Sequence, residues 1–424
     1  MAIRISIAPK ASSTSNHMSN ILRVLQSARA TTALAAMILV GLAGCSGPPL
    51  LPPTPTAAPA PESSRSPAAA GEPAIPGLNE PLTEPITAPT IVRARSRWVP
   101  VRWAELPGWE ADRSAELWPA LLRSCVRPAS GWASICAQAS NAITPAFSDD
   151  AARTWLQERL QPYRVESTEG VAEGLITGYF EPLIEASRQP RGDFRIALFA
   201  PPADLVKGKP YWTRQQLDTQ AAAQAGLRGR ALAYVADPLD ALILQIQGSG
   251  RLDLINSDGT RKLVRMAYAG HNEQPYKSVG RWLIEQGELQ PAQASWPGIK
   301  AWARQNPKRL NEMLWSNPRF VFFREEAMPD PDGGPKGAQA VPLTPGRSVA
   351  VDPQSIPYGT PVWLDSTEPL SSAPLRRSVM AQDTGSAILG AVRIDYFWGW
   401  GAEAEAQAGR MKQPLRMWVL WPKS

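Results

Sequence analysis

A mainly β fold with some helices is what this sequence predicts, and three features predict it. From Arg319 onward the chain is almost entirely short apolar stretches of strand length, separated by Gly- and Pro-containing turns. Helical patterns cluster early and in the middle, where polar caps precede apolar residues at helical spacing. The 43 prolines crowd toward the front, so the rest of the 424 residues can still build sizeable cores. Short strands of this kind close into a barrel or pack as a sandwich.

Residues 1–45 carry scattered basic side chains and then the apolar run TTALAAMILVGLAGC. That run is short for a membrane span and fits a secretory signal. It ends on LAGC, the shape of a bacterial lipoprotein processing box, with Cys45 as the residue to be lipidated. Ser46 after the cysteine favours the outer membrane, so the expected location is its periplasmic face in a Gram-negative bacterium. The long lead before the apolar run points to Met18 as the translation start. Residues 46–96 open as SGPPLLPPTPTAAPAPESS, without periodicity, and read as an extended tether. Stretched, such a leash spans on the order of 100 Å.

Helices are expected at LWPALLRSC, at AARTWLQERL behind Ser148 and two aspartates, and behind the Thr213/Gln216 capping box. Further helices follow at VGRWLIEQ, capped by Ser278 and closed by Gly287, then at KAWARQN and RLNEMLWSN. Strands are expected at LITGYFEPLI, ALILQIQG, RFVFFRE, SVAVDP, TPVWLD, AVRIDYFW and RMWVLW. Pro329 to Ala340, PDPDGGPKGAQA, reads as an exposed loop. Cys125 and Cys136 flank a Pro-Ala-Ser-Gly turn, and in a secreted chain they are expected to form a disulfide.

Composition excludes several functions. A formal charge of +6 is spread singly, with no Lys/Arg run dense enough for nucleic acid. Two histidines and three cysteines leave no zinc cluster, so no metal is expected. GxGxxG, Walker and HExxH patterns are absent, and no cofactor is expected. Gly248 to Gly250 lacks the Gly-x-Ser-x-Gly spacing of a nucleophile turn. His271, in YAGHNEQPYKS, reads as a loop residue and receives no role.

What remains are carboxylates among glycines and aromatics. Asp352 before Pro353 and Asp383 in AQDTGSA have structural explanations as turn formers. Asp395 does not: it lies mid-strand in VRIDYFW and shares a face with Arg393 and Phe397 by alternation. Burial beside an aromatic favours its neutral form, the state of a general acid. The 16 tryptophans are mostly core candidates, with a few left to stack on sugars.

SVAVDPQSIPYGTPVWL and AQDTGSAILGAVRIDYFWG resemble the three-aspartate domain of wall-active proteins. LITGYFEPLIEAS, LQIQGSGRL, MAYAGHNEQPYKSVGRWL and NPRFVFFRE are similar to the body of the membrane-bound lytic murein transglycosylase A family. The resemblance runs from about Arg97 to Pro422. It implies a double-psi β-barrel from 97–181 and 319–424, with a second β-rich domain inserted at 182–318 and a glycan groove between them. The family's catalytic aspartate falls on Asp395, with Asp383 and Asp352 supporting it. In the groove, Thr177, Tyr179, Gln247, Ser249, Arg251 and Tyr276 are expected to bind substrate.

The implied activity is exolytic cleavage of peptidoglycan to 1,6-anhydromuramic acid ends. One aspartate acts as acid and then base, where ordinary hydrolysis uses two carboxylates. Implied partners are glycan strands and wall-synthesis proteins. The alternatives are a hydrolytic muramidase and a non-catalytic, expansin-like wall-binding lipoprotein.

Overall fold

The computed structural model describes residues 86–144 and 147–423; Cys45, the expected signal segment and most of the expected tether lie outside the described residues. The strands among the described residues are, in order, β1 (Ile91–Val92), β2 (Arg97–Pro100), β3 (Leu160–Glu166), β4 (Gly174–Glu181), β5 (Leu183–Ser187), β6 (Ile196–Phe199), β7 (Ala231–Val235) and β8 (Ser249–Ile255). After them come β9 (Arg261–His271), β10 (Val321–Ala327), β11 (Ser348–Val351), β12 (Pro361–Thr367), β13 (Pro374–Asp383), β14 (Arg393–Trp400) and β15 (Lys412–Pro422).

Nine strands form one sheet in the order β1-β2-β3-β15-β12-β13-β11-β14-β4. With its eleven residues β15 pairs β4 through its first half and β3 through its second. The contact with β4 closes a ring of β15, β12, β13, β11, β14 and β4. In that ring β11–β13 and β14–β4 are parallel and the other pairs antiparallel. This is the barrel expected from sequence, with mixed pairing. Strand alternation sorts its side chains: Val362 and Leu364 point into the barrel core, while Trp363 between them points out. The outer face, with Trp363 and Trp418, buries the helices Trp118–Cys125, Ala133–Asn141 and Asp149–Arg159. A disulfide links Cys125 to Cys136 across the first two of these helices. Ser148 caps the third, accepting from the Ala151 N–H at 3.2 Å.

The second sheet runs β10-β9-β8-β5-β7-β6. Ile184, Leu252, Val264, Met266 and Phe323 pack it against Ile243 and Leu244 of the helix Pro238–Gln247. Ala404 and Ala408, from the helix that follows β14, join the same core and tie the sheet to the barrel.

Several expectations are corrected. ALILQIQG is a helix: Asp237 caps it, accepting from the Leu239 N–H at 2.8 Å, and Pro238 occupies its first turn. The run lacks amphipathic alternation because Leu244 faces the second sheet while Leu239 and Leu242 face a separate cluster with Leu283 and Trp302. LITGYFEPLI is two strands, broken at Pro182 and belonging to different sheets. The strand β10 pairs with β9, so it lies in the second sheet although the 319 boundary assigned it to the barrel. Folded structure also begins inside the expected tether, where Ile91 pairs with Trp98 and Ala88 packs on the barrel core. Of the expected exposed loop, Gly334, Pro335 and Gln339 are buried.

Where the chain passes from barrel to second sheet, Glu181 is fully buried. It accepts from Arg251 Nε at 2.8 Å and from Arg265 Nε and Nη2 at 2.5 and 3.1 Å. Both guanidiniums also donate to the Gly333 carbonyl, and that of Arg251 lies 3.7 Å from the Trp400 ring centre. One carboxylate thereby ties together the end of β4, strands β8 and β9, the loop after β10 and, through Trp400, the end of β14. Removing it leaves two buried cations without their anion. Glu181→Ala is expected to cost about 3–5 kcal/mol, read as a lowered urea midpoint; a loss below 1 kcal/mol would mean that the cluster is solvated in the folded state.

Candidate active site

Two cavities with a common wall form one cleft between the barrel and the second sheet. The smaller, about 260 Å³, is bounded by Thr177, Tyr179, Gln247, Tyr276, Arg393 and Asp395, with the segment 383–388 over it. The larger, about 570 Å³, shares Tyr179, Gln247, Tyr276 and Asp383 and extends to Ser249, Tyr268, His271 and Arg319.

Asp395 sits in β14 between two neighbours, opposite Ala350 of β11 and Thr177 of β4. Alternation sends Ile394 and Tyr396 into the barrel core and leaves Arg393 and Asp395 on the cleft side. Phe397, on the same side, is buried with its ring 5.2 Å from that of Tyr179. The Thr177 hydroxyl donates to Asp395 Oδ1 at 2.5 Å and itself accepts from Arg393 Nη2 at 2.9 Å. No donor among the described residues reaches Oδ2. Burial raises the pKa of Asp395 above its ordinary value, opposed by the Thr177 hydrogen bond and the Arg393 charge. The result is a carboxyl with one oxygen fixed, one open to the cleft, and a neutral form favoured by its surroundings.

Asp383 stands at the end of β13 in the wall common to both cavities. It accepts from the Tyr179 hydroxyl at 3.0 Å and from the Ala338 N–H at 2.9 Å. Burial pushes its pKa up to about 6 against those hydrogen bonds, and the charge of Asp395 adds to the rise. Burial, the charges of Asp383 and Asp395, and the bond to Asp383 hold the Tyr179 hydroxyl well above its ordinary value, so it stays a donor. Asp352 lies outside the cleft walls. Its buried carboxylate accepts from the N–H groups of Gln354 and Gly390 at 3.0 and 2.8 Å and pairs with Arg95 at 3.4 Å. It thereby anchors the base of the 384–392 connection that leads into β14.

Of the expected groove residues, Thr177, Tyr179, Gln247, Ser249 and Tyr276 line the cleft. Thr177 bonds the acid itself, and Gln247 accepts from the Phe180 N–H at 3.1 Å. Arg251 does not line it: the Glu181 cluster holds it in the interior, only 4 % exposed. Local glycines serve packing and turns. A side chain at Gly178 would meet the Trp398 indole at 2.7 Å, and Gly248 ends its helix in the left-handed region at φ 81°. No tryptophan lines either cavity; Trp398 packs on Tyr396 and donates to the Met411 sulfur, and Trp400 lies under Arg251. Sequence reasoning missed Ile246, Tyr268, Arg319 and Lys336, and it read His271, which ends β9 against the larger cavity, as a loop residue. A helix reading of ALILQIQG would have brought Ile246 beside Gln247 at the cleft. Among the described residues no group of three or more His, Cys, Asp or Glu could hold a metal.

Comparison with known proteins agrees with this architecture. A model described as the MltA specific insert domain matches residues 175–324, and one described as the 3D domain matches 347–421. Membrane-bound lytic murein transglycosylase A of Vibrio cholerae is 34% identical over 252 residues, which are 58% of this chain and 65% of that protein, just under two thirds of its length. Its Escherichia coli K12 counterpart is 32% identical over 276 residues, 63% of this chain and 71% of that protein. Among solved structures, the lytic transglycosylase LtgG of Burkholderia pseudomallei is 47% identical with a TM-score of 0.55, covering 79% of this chain and 98% of its own. Escherichia coli MltA with bound chitohexaose is 26% identical with a TM-score of 0.60, covering 79% and 94%.

Two titrations follow from these contacts. Arg393 favours the ionised form of Asp395, so Arg393→Met is expected to move the Asp395 pKa further up, seen as a later carboxyl titration by carbon-detected NMR; a downward move would show that the guanidinium does not face the acid. For Asp383 the folded pKa is raised from 3.8 to about 6, so folding tightens proton binding. The stability tied to that proton is complete below the unfolded value and lost as pH rises through about 6. Urea unfolding of the wild type and Asp383→Asn should diverge across that interval, the wild type losing stability relative to the variant; parallel curves would place the Asp383 carboxylate in solvent.

Proposed function

The chain belongs to the membrane-bound lytic murein transglycosylase A family, and on that premise we propose that it cleaves the β-1,4 bond between N-acetylmuramic acid and N-acetylglucosamine in peptidoglycan without water. The observation that carries this reading is Asp395: a desolvated carboxyl with Oδ1 held by Thr177 and Oδ2 facing a cleft of two joined cavities of about 260 and 570 Å³. The glycan named in the Escherichia coli structure, chitohexaose, supports a sugar polymer as its occupant.

In its acid form Asp395 gives the proton on Oδ2 to the glycosidic oxygen while the bond from that oxygen to C1 of the muramic sugar breaks. N-acetylglucosamine leaves as an alcohol, and positive charge develops at C1. The carboxylate then takes the proton of the muramic C6 hydroxyl, whose oxygen bonds to C1 and gives the 1,6-anhydro ring. The proton lost is regained, and no water enters. The site suits both halves: burial favours the acid before cleavage, and Thr177 and Arg393 steady the carboxylate between the steps.

A second reading, hydrolysis by a muramidase, is favoured by Asp383 on the same cleft wall, since hydrolysis uses two carboxylates. Against it, both Asp383 oxygens already accept, from Tyr179 and Ala338, which leaves poor access to a water or to C1. We further propose lipid anchoring through Cys45 to the outer membrane; no helix of the described residues is long and apolar enough to cross a membrane.

Mass spectrometry of fragments from purified murein tests the reading. Wild type is expected to yield ends one water lighter than hydrolysed ends, and Asp395→Asn to slow their release by about 10²–10⁴-fold. Hydrated reducing ends would convert the assignment to a muramidase, and undiminished turnover by Asp395→Asn would end it.

A further inference from the structure

The larger cavity is cationic, beyond anything that cleaving a neutral sugar chain calls for. Its walls include Arg214, Arg319, Arg324 and Lys336, and Asp383 is their only acid. Arg324 is matched by Glu326 at 2.7 Å. The other three have no carboxylate within ion-pair reach among the described residues. Arg214 is the most telling, at 6 % exposure. Its Nε donates to the Asn317 carbonyl at 3.1 Å, and its Nη2 to Gln245 Oε1 and the Arg319 carbonyl at 2.6 and 2.7 Å. All these acceptors are neutral, Nη1 has no hydrogen-bond partner among the described residues, and the guanidinium's other neighbour is the Phe320 ring, 5.2 Å to its centre. Asp218 lies close enough to favour the charged form, but its carboxylate is bonded to Trp315 at 2.8 Å. Among the described residues, Arg319 Nε meets only the Gln274 carbonyl, at 2.8 Å. A buried guanidinium surrounded by neutral acceptors is costly unless an anion completes it.

We propose that this lobe is a carboxylate-reading subsite, which engages acidic substituents of the glycan strand in register with the bond at Asp395. The inference rests on the proposed glycan substrate and adds to it that the strand is recognised by its negative charge. Two sources supply that chemistry: the free lactyl carboxyl of a stripped muramic residue and the carboxyls of a peptide attached there. The two cavities share Tyr179, Gln247 and Tyr276, so a strand lying along the cleft presents one sugar to Asp395 and a neighbouring substituent to Arg319 and Lys336.

Binding separates this from catalysis. In an Asp395→Asn background, full-length protein is titrated by calorimetry with peptide-bearing strands, peptide-stripped strands, strands whose carboxyls have been amidated, and neutral N-acetylglucosamine oligomers. Anionic strands are expected to bind on the order of tenfold tighter than amidated ones, as a charge-assisted contact implies. Lys336→Gln, at a side chain that makes no hydrogen bond or ion pair among the described residues, should abolish most of that difference and leave neutral oligomers unaffected; Arg319→Gln is the second variant. Preference for peptide-bearing over stripped strands identifies the peptide as the source, and the reverse identifies the lactyl group. Equal affinity for amidated and anionic strands, or equal losses on both in Lys336→Gln, overturns the subsite. A wild type that binds anionic strands selectively but forms no anhydro ends would leave the subsite standing and remove the transglycosylase reading.

Discussion

The parallel pairing of β14 with β4 is the constraint on which the rest depends. It brings together residues 218 apart in sequence, setting Thr177 against Asp395 on the cleft side of a barrel that closes only because β15 reaches β4 from the other edge. In a barrel wall every inward neighbour of Asp395 is apolar, so the charge has one way out, toward the cleft. Strand β4 then leaves the barrel at Glu181, passes Pro182 and becomes β5 of the second sheet. The strand whose Thr177 bonds Asp395 therefore also launches the opposite wall of the cleft. The Glu181 cluster keeps that exit rigid, so the distance across the cleft is set within a few residues of the chemistry.

The two cleft aspartates differ through their surroundings. Both are raised by burial, but Asp383 has both oxygens engaged by donors and Asp395 keeps one free. The first can shape the wall and the potential; only the second can exchange a proton with a ligand. Their proximity matters too, since ionisation of Asp395 raises Asp383 and so discourages two negative charges in one cleft.

What was legible in the sequence was local or periodic. Ser148, Thr213 and Ser278 cap helices where their spacing said they would, because a cap needs only its own next three residues. The barrel strands SVAV, PVWLD and RIDYFW announced themselves as short, largely apolar runs between Gly- and Pro-containing turns. Asp395 stood out because its apolar neighbours are themselves in the sequence. What was not legible depends on partners far along the chain. ALILQIQG has no helical stripe because it is buried against two different clusters, so periodicity had nothing to report. Arg251 sits in a Gly-rich stretch that looks like a ligand loop, yet Glu181, 70 residues away, takes it inside. The tryptophans resemble sugar platforms in isolation; the helix layer over the barrel, with Trp118, Trp132, Trp363 and Trp418, claims their area first.

The division of charge in the cleft suggests why a one-carboxylate site can sit beside a cationic lobe without losing its acid. Arg393 bears on Asp395 directly and opposes the rise of its pKa, whereas Arg214, Arg319 and Arg324 line the second-sheet end of the larger cavity and do not shift Asp395. Had they stood beside it, they would favour the ionised carboxylate and leave no proton to donate. On the proposed reading, attraction for a glycan strand at one end and desolvation of Asp395 at the other meet both demands in a single groove. That separation is a consequence of topology: the acid comes from a barrel strand, and Arg214, Arg319 and Arg324 come from the inserted segment and the strand β10 that closes it.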